Sequence, residues 1–161
     1  MNTSIIALAL SAACLAPSWR VSYTQAQQDA AQQRKPMVIV FGSGANGWSK
    51  IVRDQSPTPE VSRLLAGQYV CHFVDITTPE GSRLAQSFQI TSQVGMVISD
   101  RAGSTQAFWH QGDLTNQNVV HYLQKYADPQ VHVTGTETVY TAQARTFASS
   151  VAPAPVRTVN C

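Results

Sequence analysis

The sequence predicts an α/β fold: a mixed central sheet of about four strands with helices on both faces. Two observations lead to this prediction. Apolar runs of strand length alternate with segments that carry apolar residues at helical spacing, and this order requires crossover connections between parallel strands. The last two strands are separated only by a short turn at residues 100–103, so they are predicted to form an antiparallel hairpin.

The N-terminal residues 1–17 have the layout of a secretory signal peptide. An apolar stretch at residues 5–15 precedes small residues, with cleavage expected after Ala13 or Ala16, although no Lys or Arg precedes Arg20. The sequence therefore predicts a secreted or periplasmic protein, with a buried N-terminal helix or strand as the alternative. The stretch is too short for a stable membrane span.

The first helix and the first long strand are predicted from local patterns. Ser22, followed three residues later by Gln25, forms a capping box for a helix over residues 22–34, which the Lys35-Pro36 step ends. Residues 37–41 are continuously apolar, as in a strand that is buried on both faces. This strand is predicted to lie at the centre of the sheet.

Two Thr-Pro-Glu motifs predict the starts of the next two helices. Thr58 and Thr78 are N-cap residues, each followed by a proline at the first helical position and an acidic first turn. Gly67 is expected to end the first of these helices, and residues 69–76 form a second strand between them.

The hairpin and the last helix complete the predicted domain. Its strands are expected at residues 95–99 and 105–110. Asp113 is predicted to cap the final helix, which ends before Pro129.

These elements resemble the thioredoxin-like superfamily over residues 19–128. The resemblance implies a thioredoxin-like domain at residues 18–130. The matching features are Trp19, Ala26, Ala30, Lys35-Pro36, a strand that ends at Phe41, and Lys50.

The resemblance also identifies a degenerate redox turn. The family motif Trp-Cys-Gly-Pro-Cys-Lys corresponds here to residues 45–50, so Asn46 and Ser49 replace both cysteines, with Gly47 and Trp48 between them. Thiol–disulfide exchange needs an attacking thiolate and a second thiol, and neither an amide nor a hydroxyl replaces sulfur. The resemblance therefore implies a redox-inactive domain with no catalytic residue in the turn.

Two further family features are missing. Val40 stands where the family has a buried carboxylate, and Val94 stands where it has a cis-proline that faces the redox turn. Because a cis bond without proline costs about 3 kcal/mol, the peptide before Val94 is expected to be trans.

A candidate binding face for a protein or peptide consists of Trp48, Lys50, Gln93 and Val94. A large aromatic residue at the turn is suited to anchor a partner. In the alternative interpretation, Trp48 folds back to fill space left by the small residues Gly42 and Ala45. The sequence leaves both interpretations open.

The three cysteines support an alternative function. Cys71 lies in an apolar strand and is predicted to be buried, whereas Cys161 is predicted to be accessible. Cys161 either forms an intermolecular disulfide or has no role, and the sequence leaves both open. A thiol enzyme that uses Cys71 or Cys161, or one that acts within a complex, is therefore the alternative to a binding module. A lipid anchor on Cys14 is disfavoured, because Ser11 stands where such signals prefer an aliphatic residue.

Composition disfavours several other classes of function. The net charge is +2 and only 12% of residues are charged, so no basic surface for nucleic acid is expected. No cofactor is predicted, since the turn lacks the phosphate-loop pattern. No metal site is predicted either, because the four histidines lack ligand spacing. Residues 131–161 form a low-complexity tail, predicted to be disordered apart from an edge strand in its first part.

Overall fold

The computed structural model describes residues 16–54 and 56–139. The strands in these residues are β1 (Trp19–Arg20), β2 (Met37–Gly42), β3 (Val70–Asp75), β4 (Gly95–Ser99), β5 (Gln106–Gln111) and β6 (Glu137–Thr138). The α-helices are α1 (Tyr23–Gln33), α2 (Pro59–Gln68), α3 (Pro79–Ser87) and α4 (Asn116–Ala127), and a 3₁₀ helix spans Gly47–Ile51.

The strands form one mixed sheet in the order β1-β3-β2-β4-β5-β6. β1, β3 and β2 run parallel, whereas β4 is antiparallel to both β2 and β5. The predicted α/β fold with a central mixed sheet is therefore confirmed. Two-residue strands extend its four central strands at both edges, and β6 runs parallel to β5.

The central strand β2 separates two hydrophobic cores. All six of its residues are buried, as the continuous apolar run predicts. Val38 and Val40 face a core with α2 and α4, whereas Ile39 and Phe41 face a core with α1 and α3. Full burial of each such side chain stabilises the fold by about 1.5–3 kcal/mol.

Helix caps mark most of the predicted helix starts. The side chains of Ser22, Thr58 and Thr78 each accept a hydrogen bond from a backbone amide in the first turn of α1, α2 and α3, respectively. All three residues are therefore confirmed as N-caps, whereas the return bond from the Gln25 side chain that would complete the capping box is absent from the described hydrogen bonds. Such an N-cap bond stabilises a helix by about 1 kcal/mol.

Two predictions about helix ends are wrong. Thr115, not Asp113, caps α4 by accepting a hydrogen bond from the Asn118 amide at 3.2 Å. The Asp113 carboxylate instead pairs with the Arg53 guanidinium at 3.3 Å. Gly67 does not end α2, because the helix continues through Gln68 and then enters β3 with extended backbone, without a left-handed residue.

The edge strand β6 is fixed by polar contacts on α4. The Glu137 carboxylate accepts hydrogen bonds from Lys125 Nζ and from the Tyr126 hydroxyl, both at 2.6 Å. Val131 and Val133 pack against the first core. The described sheet therefore continues beyond residue 130, and the predicted edge strand in this region is confirmed.

Several predictions lie outside the described residues. These include most of the predicted signal peptide with Cys14, and the end of the predicted tail with Cys161. Among the helices of residues 16–54 and 56–139, none combines the length and the apolar character that crossing a membrane requires.

Replacing Glu137 with Gln should lower the free energy of unfolding by under about 1 kcal/mol near neutral pH, because the contact with Lys125 is partly exposed. The hydrogen bonds from Lys125 and Tyr126 lower the pKa of Glu137. The ionised Glu137 carboxylate therefore stabilises the fold fully above its pKa in the unfolded chain, about 4.3. This stabilisation is lost as the pH falls through its lower pKa in the folded protein. Urea unfolding at neutral and acidic pH measures the free energy of unfolding of both proteins. A difference between parent and variant that grows as the pH is lowered would contradict this prediction.

Candidate functional site

The predicted redox-turn residues lie directly after β2, at the carboxyl end of the strand. A turn at residues 43–46 leads into the 3₁₀ helix, in which the Gly47 amide donates to the Gly44 carbonyl at 2.9 Å. The 3₁₀ helix is only five residues long. It ends at Ile51 because the Leu114 amide donates to the Ile51 carbonyl at 2.8 Å, which ties the segment to the loop before α4.

The side chains predicted to stand at the two cysteine positions, Asn46 and Ser49, offer only ordinary hydrogen bonding. The Ser49 hydroxyl donates to the Asn46 carbonyl at 2.9 Å, whereas the Asn46 side chain makes no capping hydrogen bond and is exposed. The Ser49 bond closes the turn. Neither group provides a thiolate, so the pair cannot exchange disulfides.

Two glycines bring the turn into close contact with the end of β2. A Cβ atom on Gly42 would lie 2.6 Å from the Gly47 carbonyl oxygen, and one on Gly47 would lie 2.8 Å from Phe73 Cζ. Both distances are far too short for carbon contacts. The turn therefore sits against the strand only because both positions lack a side chain.

Trp48 folds back over the edge of the sheet. Its ring centroid lies 5.2 Å from that of Trp19, at an interplanar angle of 40°, and Trp19 makes an edge-on contact with Phe73. The atoms nearest to a Cβ atom on Gly42 belong to the Gly47 backbone. Trp48 is half-buried against the first core and keeps an exposed part.

Charged residues hold the other side of the turn. The Asp75 carboxylate at the end of β3 accepts hydrogen bonds from the Thr77 hydroxyl at 2.7 Å, the Thr77 amide at 3.0 Å and the Gly44 amide at 3.3 Å. The hydrogen bonds from Thr77 lower its pKa, and Lys50 adds to this effect. Lys50 Nζ donates to the Ser43 hydroxyl at 3.3 Å. Asp75 therefore braces the turn as an acceptor, and its lowered pKa makes it a poor base.

Gln93 and Val94 lie at the same end of the sheet as the turn. The antiparallel register pairs Phe41 with Gly95, so the residues just before β4 lie beside the end of β2. The peptide before Val94 is trans, as expected, and the described residues contain no cis peptide bond. The Val94 carbonyl accepts a hydrogen bond from the Gly112 amide at 2.8 Å.

The four predicted face residues lie on two segments at the same end of the sheet. Trp48 and Lys50 come from the 3₁₀ helix, while Gln93 and Val94 precede β4. Gln93 and Lys50 are exposed, whereas Trp48 and Val94 are half-buried against the first core.

The support that Trp19 gives to Trp48 was not predicted from the sequence. Trp19 lies in the edge strand β1, whose register pairs it with Cys71. The pairing of two tryptophans so far apart in sequence depends on β1 adding to the sheet. No local sequence pattern indicates that contact, since the two residues of β1 are too few to show the alternation of apolar and polar residues that marks a strand.

Cys71 is buried inside the sheet. The residue is 2% exposed, and its thiol donates to the Leu65 carbonyl at 3.5 Å. Burial raises the pKa of Cys71 to about 12, while the Arg20 charge opposes this effect. The thiol is therefore protonated near neutral pH and shielded from solvent.

The two buried histidines lie within hydrogen-bonding distance of backbone carbonyls. His72 lies buried in β3, where its Nδ1–H donates to the Arg20 carbonyl at 2.8 Å, and burial lowers its pKa. His110 lies buried in β5, with Nδ1 3.2 Å from the Val139 carbonyl oxygen. Within residues 16–54 and 56–139, no three His, Cys, Asp or Glu side chains come together to hold a metal ion. The other two histidines are exposed: His121 and His132.

The fold is similar to that of a thioredoxin from Thermus thermophilus. Its solution structure matches with a TM-score of 0.55 and 23% sequence identity, over 68% of this chain and 85% of that chain. No protein-family model matches the sequence, and no curated protein sequence matches it. The similarity establishes a thioredoxin-like fold, while the chemistry of the chain depends on its own residues.

Replacing Gly42 with Ala should lower the free energy of unfolding by about 2 kcal/mol, because the new methyl group would collide with the Gly47 backbone. Gly67→Ala is the matched control. That position lies in α2, where a Cβ atom would meet nothing within 4 Å, so alanine should stabilise the helix by about 0.5–1 kcal/mol. Urea unfolding measures both variants. Equal effects of the two substitutions would contradict the close approach of turn and strand.

Proposed function

We propose that the chain is an exported, redox-inactive domain with a thioredoxin-like fold that binds a protein or peptide at the edge formed by Trp48, Lys50, Gln93 and Val94. One observation carries the proposal. The turn after β2 is packed firmly against the sheet, yet its two key positions carry Asn46 and Ser49. A degenerate redox turn of this kind presents a shaped surface without thiol chemistry.

The aromatic contact behind the turn supports a binding role. Trp48 rests on Trp19 at a centroid distance of 5.2 Å, so its ring is held in place while part of it remains exposed. A side chain that is already ordered loses less conformational entropy when a partner covers it. Partly exposed tryptophans that are held in place are typical anchors of protein interfaces.

The polar members of the face suit a peptide backbone. Gln93 is exposed and offers both an amide donor and a carbonyl acceptor. Lys50 contributes a positive charge beside the turn, with its ammonium group 3.3 Å from the Ser43 hydroxyl. A partner segment that carries an apolar side chain for Trp48 and a carboxylate or carbonyl for Lys50 would match this edge.

The alternative function, a thiol enzyme, receives less support. Such an enzyme needs an exposed thiol with a lowered pKa. Cys71 has the opposite properties, since it is buried and its pKa is raised to about 12. Cys161 lies outside the described residues, so this alternative rests on that thiol or on a complex.

The proposal includes an extracytoplasmic location. The signal-like residues 1–17 support export, and the residues after β6 would connect the domain to Cys161. In an oxidising compartment, that terminal thiol would join two chains or a chain and its partner through a disulfide.

Site-specific photocrosslinking tests the binding face. A photoreactive side chain at Gln93 in the full-length chain should yield a discrete adduct in the native compartment. The same side chain at Gln32, an exposed position at the end of α1, should not. Trp48→Ala should reduce the adduct at least about tenfold, as for an interface anchor worth about 1.4 kcal/mol or more.

Circular dichroism of the variants controls for folding, because Trp48 also packs against Trp19. Adducts of equal yield from Gln32 and Gln93, or an adduct that persists in folded Trp48→Ala protein, would refute a binding site at this edge.

A further inference from the structure

A groove of about 340 Å³ lies apart from the turn, between the end of α3 and strands β5 and β6. Its volume is at the lower end of the range for small-molecule sites, roughly 300–1,000 Å³. In the described residues α1 and α3 pack over β2 and β3, so this part of the sheet keeps an open face.

The groove has a fixed aromatic wall. Trp109 lines it while also packing against the second core, and its indole N–H donates to the Phe88 carbonyl at 2.8 Å. This hydrogen bond sets the orientation of the ring. A ligand that stacks on Trp109 therefore meets a surface that is already ordered.

Every other side chain that lines the groove is uncharged. The polar ones are Ser87, Gln89, Gln106, Thr136 and Thr138. Thr136 is positioned by hydrogen bonds with Gln106, its hydroxyl donating to the Gln106 carbonyl at 3.0 Å. Among the described residues, the Gln89 amide and the Thr138 hydroxyl have no side-chain hydrogen bond, so both can serve a ligand.

The combination of groups selects a class of ligand. A charged ligand would lose hydration without gaining a counter-ion in the groove, and a wholly apolar ligand would leave the amide and hydroxyl groups unpaired. A sugar ring has a face of C–H groups that stacks on an aromatic ring and hydroxyls that pair with amides and hydroxyls. We propose that this groove binds a neutral saccharide, with Trp109 as the stacking platform and Gln89 and Thr138 as hydrogen-bonding partners.

NMR titration of the isotope-labelled full-length chain tests the proposal. The probes are glucose, galactose, N-acetylglucosamine, cellobiose and diacetylchitobiose, with glucuronate as the charged control. At least one neutral probe should shift the Trp109 indole N–H and the amides of residues 87–89 and 136–138 saturably, with Kd between about 0.1 and 10 mM. Glucuronate should bind at least about tenfold more weakly than the tightest-binding neutral probe.

Variants separate the groove from other surfaces. Trp109→Ala and Gln89→Ala should each weaken binding at least about fivefold, whereas Gln32→Ala, an exposed control on α1, should not. Gln89 is exposed, so its variant keeps the test valid if Trp109→Ala fails to fold. The proposal is overturned if no neutral probe shifts these resonances, if glucuronate binds equally, or if residues 140–161 are found to fill the groove.

Discussion

The position of the candidate site depends on the contact between the end of β2 and the turn that follows it. β2 is buried at all six positions and separates the two cores, so it cannot shift to accommodate the turn. The Gly42 and Gly47 backbones approach each other too closely for a side chain at either position. This contact fixes the 3₁₀ helix relative to the sheet, and through it the orientation of Trp48 and Lys50.

The remaining contacts of the turn reinforce that geometry without adding reactive groups. Asp75 holds the Gly44 amide from the neighbouring strand, and Leu114 ends the 3₁₀ helix from the opposite side. Trp48 contacts Trp19 in the edge strand β1. The turn is held rigidly and carries an amide at Asn46 and a hydroxyl at Ser49, a combination that fits the recognition role proposed above.

Local patterns predicted most of the architecture. The caps at Thr58 and Thr78 and the burial of β2 depend on neighbours within a few residues, so the sequence displays them directly. Asp113 is not the cap because α4 begins only at Asn116, and its carboxylate pairs instead with Arg53, sixty residues away. The contact of Trp48 with Trp19 could not be predicted for the same reason, since it forms only after β1 joins β3. The sequence thus predicted which residues form the candidate binding face, but it did not predict the contact with Trp19 that supports Trp48.

The reduction of insulin disulfides by the purified chain tests the central claim most directly. A redox-inactive turn of preserved shape predicts a background rate for the parent chain and a rate above background for a variant in which Asn46→Cys and Ser49→Cys place two thiols on that turn. Catalysis by the parent chain that falls to background when Cys71 and Cys161 are both replaced by serine would contradict it.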